Sequence, residues 1–425
     1  KDMQVVDTFG RYVEKLSNTR PERARKLLKL GWEAQDLKFR YLPEKQLFPA
    51  DQYLARLMMD TMLWPLRSPD TSAVVSIFTP GELIHEAGLH PYNVEGLSCY
   101  LSASHAERGF LQQAENEGLA ETLCSYHKTF IGAADKDVMP KPRCIVYTSL
   151  ACDANLLTFS RLARKYQVPV FSIDVPLQQN AENVAYVAGQ LRDMKKFLEE
   201  CTGRKISEER LKERLRCSRR TLENYRKFQK KRAGRYVPAD LVSPLYCGMT
   251  NNLLLGTREE ERYTEMLLQD IRHAEPAVGK RIYWMHTIPF WSDAVKKELY
   301  LSRNAQIVGC ELAQVCDHDF DPEKPYEAMA IRLVYHVLNG SASRRIDAGI
   351  RHAKEAGADG AVWFAHWGCK HTLGIAQLAK KKFEEQGLPL LILDGDGCDR
   401  SHGGEGQTST RLGAFMEMLG GETHE

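Results

Sequence analysis

Short apolar runs that end in a thiol constrain this chain more than any other feature. Residues 360–369 read GAVWFAHWGC and residues 389–398 read PLLILDGDGC. Residues 144–152, CIVYTSLAC, form a third case, with the second thiol at the exit. Such runs read as strands buried on both faces, the kind found in parallel sheets. A thiol at the exit then stands at the carboxyl edge of the sheet, where α/β proteins place their ligands. Three thiols so placed point to a soft-metal site, and to iron–sulfur chemistry first.

The rest of the chain supplies the alternation that a parallel sheet requires. Strand patterns at 72–78, 144–149 and 169–173 alternate with helical ones such as 155–166. Residues 93–100 are short, partly apolar and carry Cys99 near their end. A charged helical stretch follows, in which Ser207 before Glu208 and Glu209 reads as an N-cap with an acidic first turn. Strand patterns resume at 281–287, 305–309, 360–365 and 390–393, with helices at 326–338, 345–356, 374–385 and 410–419. The fold class is therefore α/β, with two doubly wound, flavodoxin- or Rossmann-like parallel-sheet domains and a cleft between them. The expected division is an N-terminal helical segment at 1–65, a first α/β domain at 66–185, a helical connector at 186–260 and a second α/β domain at 261–425.

A length of 425 residues exceeds what one core serves. A formal charge of +2 gives no reason to expect nucleic acid or a membrane surface as partner. No apolar run reaches the length of a membrane span, and the N-terminus reads as an amphipathic helix without a signal-peptide pattern. Eleven cysteines, an odd count spread over strands, loops and helices, suit a reducing cytoplasm. No CxxC occurs, which argues against thioredoxin chemistry and zinc ribbons. No GxGxxG, Walker A or GxSxG occurs either, so nucleotide binding through a P-loop is not expected.

Placement sorts the thiols. Cys124 opens CSYHK after a helical stretch, Cys152 lies between a strand and a helix N-terminus, and Cys369 lies in HWGCKHT. Helix N-termini favour thiolate. Cys398 lies in the glycine-rich DGDGCDR, Cys99 in GLSCYLS, and Cys310 closes the strand QIVGC with Cys316 six residues on. Cys144, Cys201, Cys217 and Cys247 read as small buried apolar residues. Asp394, Asp396 and Asp399 invite a divalent-cation reading, but the EF-hand spacing is missing. His85, His286, His366 and His371 are possible acids or ligands, each more often structural.

Five motifs carry a resemblance. TPGELIHEAGLHP (79–91), LCSYHK (123–128), TSLACDA (148–154), TGRKISEERL (202–211) and GQTSTRLGAF (406–415) resemble segments of 2-hydroxyacyl-CoA dehydratase and benzoyl-CoA reductase subunits, in the same order. The resemblance implies two α/β domains with an iron–sulfur cluster between them. It implies a [4Fe–4S] cluster on Cys124, Cys152 and Cys369. It also implies electrons from a separate homodimeric ATPase reductase with its own [4Fe–4S], which fits the missing P-loop.

Extra thiols at Cys99, Cys398 and one of Cys310 or Cys316 bring the count to six and are similar to the double-cubane branch of that family. That branch implies a homodimer, an [8Fe–9S] cluster on Cys99, Cys124, Cys152, Cys310, Cys369 and Cys398, and reduction of a small molecule by an iron–sulfur oxidoreductase. The alternatives are a radical 2-hydroxyacyl-CoA dehydratase subunit with one [4Fe–4S], a lyase, and a non-catalytic electron-transfer protein. The residues themselves name neither a substrate nor a catalytic acid or base.

Overall fold

The computed structural model describes residues 2–402 and 404–420. Lys1 and residues 421–425, at the two ends of the expected division, lie outside the described residues. Among the described residues, eight strands form two four-stranded sheets, every pairing parallel. The first holds β1 (Ser72–Val75), β2 (His90–Asn93), β3 (Cys144–Thr148) and β4 (Val170–Ile173) in the order β2-β1-β3-β4. The second holds β5 (Lys280–Met285), β6 (Ala305–Cys310), β7 (Gly360–His366) and β8 (Leu390–Gly395) in the order β6-β5-β7-β8. The two orders are the same. In each sheet the chain starts at an inner strand, steps out to one edge and then crosses to the other side. The strand order therefore reverses between β1 and β3, and again between β5 and β7. At such a switch point the loops diverge and leave a crevice beyond the carboxyl ends of the strands.

Strand β2 has no counterpart in the sequence pattern. It is His90–Asn93, and the short, partly apolar stretch after it lies in the helix Val94–Ala103. HPYN contains proline and no β-branched residue, so propensity hides it. Pro91 is tolerated because β2 is an edge strand, with a neighbour on one side only. Strand β1 also stops early, at Val75 rather than 78. There Ser76 turns inward, and its Oγ accepts from the Thr148 N–H at 3.0 Å. The local helix signal holds. Ser207 Oγ caps Glu208–Arg232 by accepting from Arg210 N–H at 3.3 Å.

The core is continuous between the sheets. In β5, Ile282 and Trp284 face one core while Tyr283 and Met285 face another, the period of two of a strand. The first of these cores also takes in β1, β3, the long helix Glu208–Arg232, and Leu253 and Leu267 from Ser243–Leu253 and Arg258–Asp270. Shared apolar burial of this extent fixes the two sheets against each other rather than leaving them hinged.

One buried ion pair crosses this core. Arg332, in the helix Pro325–Val334, meets Glu82 at 2.6 Å, with both side chains buried. Ser218 Oγ from the long helix donates to the same carboxylate at 2.7 Å. Burying both charges is costly, so removing one partner is worse than removing both. Arg332→Met should lower stability by about 3–5 kcal/mol, and adding Glu82→Leu should restore most of it. Urea unfolding midpoints of the two variants check this; equal losses would show that the pair is not coupled.

Candidate functional site

The two switch points face each other. A cavity of about 130 Å³ lies between them. Its walls include Ile77 and Phe78 from the β1 exit, Cys152 from the β3 exit, His286 from the β5 exit and His366 and Cys369 from the β7 exit. Cys99 and Cys124 complete the thiols on this wall. Both sheets thus deliver their carboxyl edges to one place.

Three of the thiols share a local design. Cys124 is the N-cap of the helix Ser125–Asp135, and Cys369 is the N-cap of the short helix Lys370–Leu373. Cys152 stands just before the helix Ala154–Tyr166. Backbone N–H groups near the helix starts meet two of these sulfurs: Tyr126 N–H lowers the Cys124 pKa, and Ala154 and Asn155 N–H lower that of Cys152. Burial works the other way and wins. It pushes the Cys124 thiol well above its ordinary value, with the neighbouring Cys152 and Cys369 adding to the rise. It pushes Cys152 up to about 12, again with Cys369 next in weight. Without a cation Cys124 and Cys152 are held as neutral thiols.

Close backbone approach brings the third thiol to the first two. A Cβ on Gly368 would lie 2.3 Å from Cys124 Cα. No side chain fits there, so glycine lets the HWGC loop of the second sheet touch the backbone of the first.

Basic groups stand behind these sulfurs. His366 Nε2 lies 3.3 Å from Cys124 Sγ, and His127 Nε2 lies 3.8 Å from Cys152 Sγ. Arg345 lines the cavity, and its charge interacts with that of Cys369. Only 2% of its surface is exposed. It forms a two-pronged ion pair with Glu311, at 2.7 Å and 2.6 Å, and lies over the Trp363 ring. Glu311 also accepts from His286 N–H at 3.1 Å, holding a non-glycine residue at φ 73°. His286 Nδ1 is buried there without a partner. Glu95 completes the wall, its pKa raised to about 7 by burial.

The donor set suits an iron–sulfur cluster better than a single ion. Among the described residues no group of three or more His, Cys, Asp or Glu side chains is arranged to hold one metal ion. Three thiols spread around an apolar cavity, with outer donors and a buried cation, suit a polynuclear group bridged by its own sulfide.

The remaining thiols fall in different places. Cys99 is on the cavity wall, and burial raises its pKa to about 12. Cys398 is fully buried behind it, near Thr129 Oγ1 at 3.5 Å and Ser98 O at 3.7 Å. Burial raises the Cys398 pKa most, the charge of Asp396 next, and the two thiols are near enough for Cys99 to add to the rise. Cys310 lines a separate cavity with Asp51, Arg232 and Cys247, and faces His286 O at 3.6 Å. Cys316 lines a third, beside Asp317 and His352. Asp394, Asp396 and Asp399 diverge: Asp394 pairs with Arg411, Asp399 with His402, and Asp396 binds Ser125 and two backbone N–H groups. His371 accepts from Arg345 at its carbonyl. His85 contacts Leu253 O at 2.8 Å, away from this cavity.

Three members of the site escape sequence reasoning. His127 sits four residues before Ile131 inside an ordinary helix, Glu95 follows an unrecognised strand, and Arg345 lies in a helix with four other basic residues. For Glu95, the missed signal was HPYN as an edge strand, which would have put it at a strand exit.

Comparison with known proteins agrees with this geometry. The family described as 2-hydroxyglutaryl-CoA dehydratase, D-component, matches residues 76–419. The alpha subunit of (R)-phenyllactyl-CoA dehydratase from Clostridium sporogenes is 23% identical over 80% of this chain and 87% of its own. The alpha subunit of (R)-2-hydroxyisocaproyl-CoA dehydratase from Clostridioides difficile is 22% identical over 81% and 88%. One of the subunits of benzoyl-CoA reductase from Thauera aromatica is 21% identical over 73% and 80%. With both switch points and their thiols inside the matched span, the chain belongs to the 2-hydroxyglutaryl-CoA dehydratase D-component family.

Proposed function

We propose that this chain is the iron–sulfur component of a reductase that acts on a small molecule, with Cys124, Cys152 and Cys369 as the cluster ligands. The convergence of these three thiols on one cavity carries the reading. Such a cluster, when bound, supplies single electrons at low potential. The chain's own residues do the rest. Arg345 offsets negative charge beside Cys369, Glu95 can take up or release a proton at the wall near neutral pH, and Phe78, Leu245, Met249 and Leu338 keep water out. A cavity of about 130 Å³ is well below the roughly 300–1,000 Å³ of sites that enclose drug-sized ligands. That size suits the cluster itself, a compact inorganic group.

The electrons come, in this reading, from a separate homodimeric ATPase with its own [4Fe–4S], which fits a sequence without a P-loop. Assembly as a homodimer in the cytoplasm completes the proposal. No helix among the described residues is long and apolar enough to cross a membrane.

Cluster size separates two readings. Cys310 opens to another cavity, which supports one [4Fe–4S] on the triad. Cys99 on the same wall, with Cys398 behind it, supports extension toward a double-cubane [8Fe–9S]. The names of the relatives support the alternative in which the substrate is a 2-hydroxyacyl-CoA and the chain pairs with a second, different subunit.

Anaerobic reconstitution followed by iron and sulfide analysis tests the proposal. About four irons and four sulfides per chain are expected from the triad alone, and about eight and nine from the double cubane. Absence of iron would overturn both. Cys124→Ser, Cys152→Ser and Cys369→Ser should each lose most of the iron, and Cys310→Ala should keep it. Cys398→Ala should leave a triad cluster intact and deplete a double cubane.

Glu95 has a pH signature. Its folded pKa, about 7, lies above the ordinary 4.5, so the folded state binds more protons between those values. Stability from this group is therefore present at low pH and falls as pH rises from about 4.5 through about 7. Relative to Glu95→Gln, the wild type should lose up to about 3 kcal/mol over that window. Urea unfolding of the two proteins at pH about 5 and 8 measures it; a difference that does not change with pH would show an ordinary carboxylate.

A further inference from the structure

The glycine-rich loop after β8 does not aim its carboxylates at a cation. It aims a peptide at a histidine. Asp396 Oδ1 accepts from Ser125 Oγ at 2.6 Å and from the N–H groups of Cys398 and Asp399, each at 2.7 Å. Trp291 Nε1 donates to Gly397 O at 3.1 Å. These contacts turn the Gly397 N–H onto His366 Nδ1 at 3.1 Å. A Cβ on Gly397 would lie 2.4 Å from the Tyr126 hydroxyl, so glycine permits the approach.

The tautomer follows from donor and acceptor chemistry. A peptide N–H can only donate, so His366 Nδ1 is the acceptor and carries no proton. The Asp396 carboxylate is 4.0 Å from Nδ1, too far to claim a proton there. A neutral ring then has its hydrogen on Nε2, and Nε2 lies 3.3 Å from Cys124 Sγ. His366 is 1% exposed, so water does not compete for either nitrogen.

We propose that His366 is a positioning residue that sets the reduction potential of the group held by Cys124, with Gly397 locking it as an Nε2–H donor to sulfur. This rests on the cluster reading above. A hydrogen bond to a ligand sulfur stabilises the more negative, reduced state and raises the potential. His127 has a similar but weaker relation to Cys152. Its Nδ1 pairs with Thr158 Oγ1 at 2.8 Å, and its Nε2 stands 3.8 Å from the sulfur. The DGDGC loop thereby acts on the first sheet's thiol through a histidine of the second sheet.

Two measurements test the proposal, and the first needs no cluster. Nitrogen NMR of the ¹⁵N-histidine-labelled apo protein, with His366→Phe to assign the signal, reads the tautomer. A bare Nδ1 and protonated Nε2 are expected; a proton on Nδ1 would overturn the proposal. The second is an EPR-monitored redox titration of reconstituted wild type and His366→Phe. With equal iron, the variant should titrate at a more negative potential, its reduced-to-oxidised ratio at fixed poise falling about tenfold. An unchanged potential would overturn the proposal. If His366→Phe does not load, His366→Asn, whose amide is too short to reach the sulfur, takes its place with the same two outcomes. A wild type that takes up no iron overturns the cluster reading and the potential-setting role with it, while the NMR still decides the tautomer.

Discussion

The site depends on one close contact, that of Gly368 with the backbone of Cys124. Sheets bring their carboxyl edges near each other, but side chains normally keep opposing loops several ångströms apart. A glycine facing a backbone removes that spacing. Once the loop after β7 rests on the N-terminus of the helix Ser125–Asp135, Cys369 joins Cys124 and Cys152 on one cavity. The continuous core beneath holds the contact in place.

Collecting thiols in an apolar cavity raises an electrostatic problem. Each sulfur is more acidic when solvated, and burial pushes Cys124 and Cys152 toward the neutral form. The fold answers with positive potential at close range. Helix N-termini meet the sulfurs, the buried guanidinium of Arg345 stands by Cys369, and imidazoles approach Cys124 and Cys152. None of these is a mobile surface charge. They are held in place by Glu311, Gly397 and Thr158, and so cost little rearrangement when charge arrives.

How much of this was legible in the sequence varies from residue to residue. The strands at 144–149 and 360–365 were readable because they are buried on both faces and therefore apolar throughout. HPYN was not, because an edge strand needs no branched residues and tolerates proline. The cysteines at strand exits pointed to the right edge of the sheet. Strand-exit position alone did not separate Cys369 from Cys310, since both close strands of the second sheet. Cys369 follows β7, beside the switch point, while Cys310 ends the edge strand β6 and turns to a different cavity. The DGDGC loop looked like a place for a cation or a sulfide, and its carboxylates instead organise its own backbone.

By itself the sequence determined the class of fold and which sheet edge carries the thiols, because strand burial, helix caps and the placement of thiols are local properties. It also determined family membership, because five motifs in fixed order survive where overall identity is low. Only the tertiary structure decided which thiols meet, which histidine faces which sulfur and which arginine supplies the buried charge. Some of those pairings join residues more than two hundred positions apart, as Cys124 and His366 are. Their geometry follows from sheet order and from the close approach at Gly368, and neither is encoded in any one stretch of the chain.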